Sequence, residues 1–264
     1  MMKTYYFIFS NDSLLLEIQP DGSYSVPFCE EPPIPTKPWT TVLHITPLNG
    51  MDVKTYSIDN PPVNDARYEL CTLRQSYYKL PFDFYLKAGK CYELLYWDKN
   101  TKFCGVCGGT MKQHTDISKR CEHCGKEVWP QLAPAVIVRI TRGDQILLAR
   151  GQNFRSDFYG LIAGFVETGE TLEQAVEREV MEETGLKVRN IRYFGSQPWP
   201  YPCGLMIGFT ADYLDGQIHV QHEELKNAAW FSRNELPNLP EKLSIARWLI
   251  DDWLQSNGKS EKNI

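Results

Sequence analysis

The sequence lacks the long apolar run that a membrane-spanning helix requires. No stretch of its 264 residues approaches the roughly 20 consecutive apolar residues that cross a bilayer. The apolar run near the start, "TYYFIF", is too short and too aromatic for a signal peptide. We therefore expect a cytoplasmic protein that makes no use of a membrane.

The sequence also lacks a strong excess of either charge. Its 28 basic and 33 acidic residues leave a formal net charge of -5. This mild value argues against a protein that depends on bulk attraction to nucleic acid or to anionic membranes, although a local basic groove stays open. No internal repeat is present, so a solenoid or propeller is not expected.

The cysteines do not form the pattern of a secreted disulfide framework. Of the eight, four lie in two Cys-x-x-Cys pairs, and the rest are scattered at Cys29, Cys71, Cys91 and Cys203. Paired cysteines of this kind fit a metal site in a reducing compartment better than a set of disulfides.

The two pairs, Cys104/Cys107 and Cys121/Cys124, are separated by thirteen residues. Four thiolates from two tight turns satisfy the tetrahedral preference of zinc and leave no position for water, so we expect one structural zinc ion per chain. Two alternatives remain: free or redox-active thiols, and a zinc ribbon that grips nucleic acid. Against the second, the interval between the pairs carries basic residues but no aromatic platform for bases.

The sequence pattern divides the chain into four parts. Residues 1–100 read as a β-rich N-terminal domain, 101–130 as the cysteine ribbon, 131–257 as an α/β domain and 258–264 as a disordered tail. In the third part, the strand-like runs "AVIVRI" and "QILLAR" are joined by the hairpin signal "TRGD". An amphipathic helix is predicted at residues 243–254.

Residues 164–186, "GFVETGETLEQAVEREVMEETGL", hold seven glutamates and one arginine. Thr171 and Gln174 have the spacing of a capping box, and Gly185 is a natural helix end. The sequence therefore predicts a helix from about Thr171 to Gly185.

On that helix Glu179, Glu182 and Glu183 project from one face, opposite an apolar stripe. Carboxylates so close together repel one another unless a hard cation such as Mg2+ or Mn2+ binds them. Arg178 is expected to pair with Glu170 and hold the preceding loop. The plain alternative is a solvated acidic face without a cation.

The spacing in this segment matches the complete Nudix box, G-x5-E-x7-R-E-U-x-E-E-x-G-U, in which U is a bulky aliphatic residue. The chain therefore resembles the Nudix hydrolases, and the resemblance implies an α/β/α sandwich with a mixed sheet and cleavage of a nucleoside diphosphate linked to another group. The matching positions are Gly164, Glu170, Arg178, Glu179, Val180, Glu182, Glu183, Gly185 and Leu186.

A second motif, "SQPWPYP" at residues 196–202, is similar to the SQPWPFPxS signature of the NADH pyrophosphatase family, which also carries an N-terminal domain and a four-cysteine ribbon. This resemblance implies a homodimer that hydrolyses NADH and NAD+ to nicotinamide mononucleotide and AMP. The same chemistry would remove NAD caps from RNA 5′ ends. From another class, the chain could be a catalytically silent protein that binds nucleotides or nucleic acid.

The resemblance also implies a set of site residues. The catalytic acids are Glu179, Glu182 and Glu183, and the base is Glu182 or Glu183. The Mg2+ or Mn2+ ligands are Glu179, Glu183, Glu224 (with Glu223 as an adjacent alternative) and the backbone carbonyl of Ala163. The substrate-binding residues are Arg74, Asp116, Trp129, Phe165, Gln197, Pro198, Trp199, Pro200, Tyr201, Pro202, Cys203, Gly204 and Ala246.

The chain departs from the family pattern at three places. Tyr201 stands where Phe is usual, Trp129 replaces Tyr, and Cys203-Gly204 replaces the final x-Ser of the signature. Trp129 keeps an aromatic ring that can stack, but its polar group differs from the tyrosine hydroxyl. The hydroxyl of the last serine in the signature has no counterpart in this chain.

Overall fold

The computed structural model describes residues 3–59, 65–152 and 157–256. The chain divides into an N-terminal unit, Met1–Leu132 with Pro200–Cys203, and a C-terminal unit, Ala133–Trp199 with Gly204–Ile264. The tail predicted at 258–264 lies outside the described residues. Among the described residues, none of the helices combines the length and the apolar character needed to cross a membrane.

A seven-stranded sheet forms most of the N-terminal unit. Its strands lie in the order β3-β2-β1-β6-β5, with β4 paired to β1 and β7 paired to β2. The β1–β6 pair is parallel and the other pairs are antiparallel. The strands are β1 (Thr4–Ser10), β2 (Ser13–Ile18), β3 (Tyr24–Ser25), β4 (Phe28–Cys29), β5 (Leu43–Leu48), β6 (Met51–Ser57) and β7 (Tyr68–Thr72).

Two helices follow this sheet: the single turn α1 (Leu73–Ser76) and the long helix α2 (Phe82–Asn100). Helix α2 buries one stripe, which includes Tyr85 and Cys91, in the core of the sheet. The sequence does not predict this helix, because large apolar side chains such as Leu86 and Tyr96 also occupy its exposed face and mask the helical period.

The cysteine ribbon completes the N-terminal unit. It is a small antiparallel sheet in the order β10-β9-β8, built from β8 (Met111–Thr115), β9 (Ser118–Cys121) and β10 (Glu127–Val128).

A mixed six-stranded sheet forms the centre of the C-terminal unit. Its order is β14-β15-β11-β12-β16, with β13 paired to β11. The β11–β15 pair is parallel and the rest are antiparallel. The strands are β11 (Ala133–Arg142), β12 (Gln145–Gly151), β13 (Ile162–Phe165), β14 (Lys187–Trp199), β15 (Gly204–Asp215) and β16 (Leu225–Ser232).

Helices α3 (Leu172–Thr184) and α4 (Ile245–Gln255) cover opposite faces of this sheet. Side chains alternate along a strand, and on β11 Val136 joins the core that contains α3, while Ile137 joins the core that contains α4. The predicted α/β/α sandwich with a mixed sheet is therefore confirmed.

Candidate active site and metal centres

Helix α3 begins and ends where its sequence predicts. The Thr171 side chain accepts a hydrogen bond from the backbone N–H of Gln174, and the Gln174 side chain accepts one from the Thr171 N–H, so the capping box is complete. Gly185 ends the helix with a left-handed backbone at φ 68°. These two ends fix the rotation of the helix and so the direction of its acidic face.

That face contributes to a cluster of three carboxylates. Glu179 and Glu183 on α3 and Glu224, just before β16, bring carboxylate oxygens within 4.8 Å of one another. Glu179 and Glu183 are 8% and 4% exposed, whereas Glu224 is exposed. The carbonyl of Glu224 accepts a hydrogen bond from the Gln152 N–H at 2.7 Å, which holds this loop in place.

The cluster is electrostatically unfavourable without a cation. Burial, together with the charges of Glu179 and Glu224, raises the pKa of Glu183 to about 8. Burial also raises the pKa of Glu179. Three converging carboxylates with only oxygen donors are the ligand set that hard divalent cations prefer, so the residues present fit such an ion.

Arg178 connects the helix to the loop before it. Its guanidinium donates to both oxygens of Glu170, at 3.0 and 2.7 Å, which is the pair expected from the sequence. It also donates to Glu179 at 2.9 Å, to Glu182 at 3.1 Å and to the carbonyl of Phe165 at 2.9 Å. The Arg178 hydrogen bonds lower the pKa of Glu170, so this carboxylate stays ionised.

Glu182 differs from its two neighbours on α3. Its side chain is 53% exposed, and it lies beside the carboxylate cluster rather than within it. Glu223, the alternative to Glu224, is exposed and likewise outside the cluster.

The four paired cysteines also converge. The sulfur atoms of Cys104, Cys107, Cys121 and Cys124 lie within 4.8 Å of one another, with Cys104 Sγ 3.6 Å from Cys124 Sγ and Cys107 Sγ 3.5 Å from Cys121 Sγ.

The backbone around these cysteines is shaped for thiolates. The N–H groups of Cys124 and His123 donate to Cys121 Sγ, and these bonds lower the pKa of Cys121 to about 6. Gly109 leaves room for the sulfurs, because a Cβ there would lie 3.1 Å from Cys121 Sγ and 2.8 Å from the His123 Cβ. Four converging sulfurs, of which Cys121 ionises readily, fit a tetrahedral thiolate-bound metal.

Two residues predicted to bind substrate line one cavity within the N-terminal unit. Trp129, 54% exposed, and Cys203 face a cavity of about 600 Å3 together with Trp97 and the side chain of Glu93. Burial raises the pKa of Glu93 to about 7. No local sequence pattern indicates this cavity, because Glu93 and Trp97 lie on helix α2, which the sequence does not predict.

The other predicted substrate residues of this unit lie on three different segments of the chain. Arg74 is exposed on α1, and Asp116 is exposed in the turn between β8 and β9. In the segment Pro200–Cys203, Tyr201 packs against the N-terminal core with its hydroxyl 3.3 Å from that of Tyr85. Pro200 is buried and Pro202 is exposed.

In the C-terminal unit the predicted substrate residues lie on three elements. Phe165, at the end of β13, is 66% exposed. Trp199 is half-buried at the end of β14, and Ala246 is half-buried in the first turn of α4. Gly204 pairs with Trp199, and a Cβ on it would lie 3.0 Å from the Trp199 carbonyl oxygen.

Pro198 and Gln197 precede Trp199 on β14. Pro198 is exposed. The Gln197 side chain is buried, and its amide is hydrogen-bonded to the backbone of Leu243 and Ile245. Ala163 lies on β13 opposite Ile137 of β11.

Both units match known protein families. Residues 131–254 match the NUDIX domain, and residues 3–97 match a family described as an NADH pyrophosphatase-like rudimentary NUDIX domain. Among solved structures, a Nudix hydrolase from Nitrosomonas europaea aligns with a TM-score of 0.45 and 24% identity over 57% of this chain and 91% of its own.

Curated relatives are considerably more similar in sequence. A NAD-capped RNA hydrolase NudC from Klebsiella pneumoniae is 47% identical over 189 residues, which cover 71% of this chain and 73% of the relative. One of the same name from Pseudomonas aeruginosa is 45% identical over 183 residues, which cover 69% of this chain and 66% of the relative. The chain belongs to the NADH pyrophosphatase (NudC-type) family of the Nudix hydrolases.

Proposed function

We propose that this protein hydrolyses the diphosphate of NADH and NAD+, releasing AMP and the reduced or oxidised nicotinamide mononucleotide. The observation that carries the proposal is the convergence of Glu179, Glu183 and Glu224 within 4.8 Å, on a helix that has the complete Nudix box. The alternative, a solvated acidic face without a cation, does not account for two buried carboxylates beside each other, because burying a charge without a partner costs free energy.

Glu179, Glu183 and Glu224 would hold the catalytic Mg2+ or Mn2+, with the carbonyl of Ala163 as a further ligand carried over from the family. A bound cation of this kind neutralises charge on the diphosphate and lowers the pKa of a coordinated water. The four thiolates of the ribbon would hold one structural zinc ion, because a closed set of cysteines leaves no site for catalysis.

The chain's own residues supply the remaining parts of the reaction. Arg178 holds Glu170 and Glu179 in fixed positions, so the loop before α3 and the first metal ligand are set before substrate arrives. Glu182 or Glu183 accepts the proton of the attacking water. Of the two, Glu182 accepts a hydrogen bond from Arg178 at 3.1 Å.

For the substrate, we propose stacking contacts from Phe165 and Trp199. A stacking role for Trp129 is a separate proposal carried over from the family. Exposed aromatic rings bind nucleobases because every base offers a flat face. The large exposed fractions of Phe165 and Trp129 support this role. Cys203 lines the same cavity as Trp129, and this position supports a substrate contact from Cys203.

Removal of the NAD cap from RNA 5′ ends is the second candidate activity. It breaks the same diphosphate bond, and the relatives from Klebsiella and Pseudomonas carry this function in their names. We also infer a homodimer from the family. We infer a cytoplasmic location as well, which the metal-like spacing of the four cysteines supports. Light scattering of the purified protein measures the oligomeric state.

A side-by-side product assay tests the proposal. NADH, NAD+, ADP-ribose, diadenosine polyphosphates and NAD-capped RNA are incubated with protein and Mg2+ or Mn2+, and the products are separated by chromatography. The expected result is AMP with nicotinamide mononucleotide from NADH, and a 5′-monophosphate RNA from the capped substrate. Turnover confined to ADP-ribose or diadenosine polyphosphates would overturn the proposed substrate class.

A further inference from the structure

Gln197 is a buried polar side chain on the strand that carries Trp199. Only 2% of it is exposed, and both ends of its amide are bonded to the chain. Its Nε2 donates to the carbonyl of Leu243 at 2.7 Å, and its Oε1 accepts from the N–H of Ile245 at 2.7 Å. One side chain therefore connects the end of β14 to a segment about fifty residues later.

The second bond satisfies a group that a helix cannot satisfy itself. Ile245 is the first residue of α4, and a first-turn N–H has no acceptor within its own helix. Ser244, the N-cap, accepts from the N–H of Arg247, which leaves the Ile245 N–H to Gln197. The start of α4 is thus connected to β14 by a hydrogen bond that the Ile245 N–H donates to a buried amide oxygen.

The start of α4 also packs closely on the sheet. A Cβ on Gly208 of β15 would lie 2.9 Å from the Ile245 Cδ1, so the Ile245 side chain packs directly against the backbone of Gly208. The start of α4 is therefore held by two contacts. Ile245 packs against Gly208 of the sheet, and its N–H is hydrogen-bonded to the Gln197 amide.

Gln197 and Trp199 point to the same face of β14. They are two residues apart, and the pairing with β15 is regular between them, from Gln197 opposite Met206 to Trp199 opposite Gly204. Met206 belongs to the apolar cluster that contains α4, which places this face on the α4 side of the sheet. The Gln197 amide thus joins strand β14, which carries Trp199, to the first turn of α4, which carries Ala246.

We propose that Gln197 is a positioning residue for substrate binding: it fixes the spacing between Trp199 and the first turn of α4, and contacts the chain rather than the substrate. This proposal rests on the proposed function. A glutamine suits the place because its planar amide offers a donor to the Leu243 carbonyl and an acceptor to the Ile245 N–H. An apolar side chain of the same length offers neither.

Gln197→Met tests the proposal, because it keeps the length of the side chain and removes both hydrogen bonds. The expected result is a rise of about tenfold or more in KM for NADH, with kcat and the Mg2+ concentration for half-maximal rate each within about twofold of wild type. The matched control is Ile250→Ala, a buried residue of α4 in the same apolar cluster, which should lower Tm and leave KM unchanged.

A second variant covers the case in which Gln197→Met does not fold. Gln197→Asn keeps the amide but is one methylene shorter, so it reaches only one of its two partners and should raise KM by a smaller factor. Folded variants at position 197 whose KM equals that of wild type, or that lose kcat alone, would overturn the positioning role. Failure of the proposed function is distinguishable, because wild-type protein would then release no AMP from NADH at all.

Discussion

The carboxylate of Glu179 lies in the space that a side chain on Gly164 would need. A Cβ at residue 164 would be 1.9 Å from Glu179 Oε1 and 2.0 Å from its Cδ, far inside van der Waals contact. Strand β13 and helix α3 can therefore bring this acid into the cluster only because residue 164 has no side chain. The requirement for glycine at the start of the Nudix box is thus steric in this chain.

Gly164→Ala should accordingly displace Glu179 from the cluster. We expect turnover of NADH to fall by about a hundredfold or more, since each 1.36 kcal/mol of lost transition-state stabilisation lowers the rate tenfold. The Mg2+ concentration for half-maximal rate should rise as well. Gly195→Ala on β14 is the matched control, because a Cβ there meets nothing within 4 Å. Equal activity of the two variants would show that the close approach has no catalytic consequence.

Arg178→Lys should disconnect the helix from the loop before it. The guanidinium reaches Glu170, Glu179, Glu182 and the Phe165 carbonyl, whereas a lysine ammonium offers a single point of attachment. We expect a loss of roughly ten- to a hundredfold in kcat/KM together with a lower Tm. Arg189→Lys, at an exposed position, serves as the control. An Arg178→Lys enzyme with wild-type kinetics would contradict the positioning role of the Arg178 guanidinium.

The ribbon should hold about one zinc ion per chain. Loss of this zinc ion should lower the stability of the fold before it lowers the rate of hydrolysis. Cys104→Ser removes one of four ligands and should abolish stoichiometric zinc in metal analysis. Tm should fall by about 2–4 °C for each kcal/mol of lost stability. Cys29→Ser, outside the cluster, should keep its zinc. Freshly purified, reduced wild-type protein without zinc would refute the structural assignment.

In the metal-free protein, stability should fall as pH rises from about 5 to 8. The folded-state pKa of Glu183 is raised to about 8, above the ordinary value of about 4.3, so the folded state holds this proton more tightly than the unfolded state does. That contribution is fully present below the unfolded pKa and is lost as pH rises through the folded pKa.

Melting curves in EDTA across this pH range test the point. Glu183→Gln should flatten the decline, while the part due to Glu93, whose pKa is raised to about 7, persists in both proteins. Saturating Mg2+ should also flatten it, because the cation replaces the proton. Identical slopes for wild type and Glu183→Gln would show that Glu183 is not the source of this pH dependence.

The sequence predicts the geometry of α3 and its two clustered carboxylates because this part of the site is local. The capping box at Thr171, the end at Gly185 and the spacing of Glu179 and Glu183 all lie within one helix, where the helical period fixes direction. The Arg178–Glu170 pair follows for the same reason, since the two residues are only eight positions apart in the chain.

Features that depend on distant segments were not predictable in this way. Helix α2 presents large apolar side chains to solvent, so its sequence does not show the helical period of apolar residues. The cavity beside Glu93 could not be predicted either, because it is lined by residues of this helix. The bonds from Gln197 to Leu243 and Ile245 join segments far apart in the chain, and no local pattern indicates them.

The most direct test of the account compares AMP release from NADH by wild type and Glu183→Gln. The neutral isostere relieves repulsion within the cluster, so the variant should fold with a Tm at or above that of the metal-free wild type. Its rate should be at least about a hundredfold lower, because a cation ligand is lost. Wild type should be inactive in EDTA and recover with Mg2+ or Mn2+. A well-folded Glu183→Gln protein that cleaves NADH at nearly the wild-type rate would contradict the assignment of these acids as the catalytic cation site.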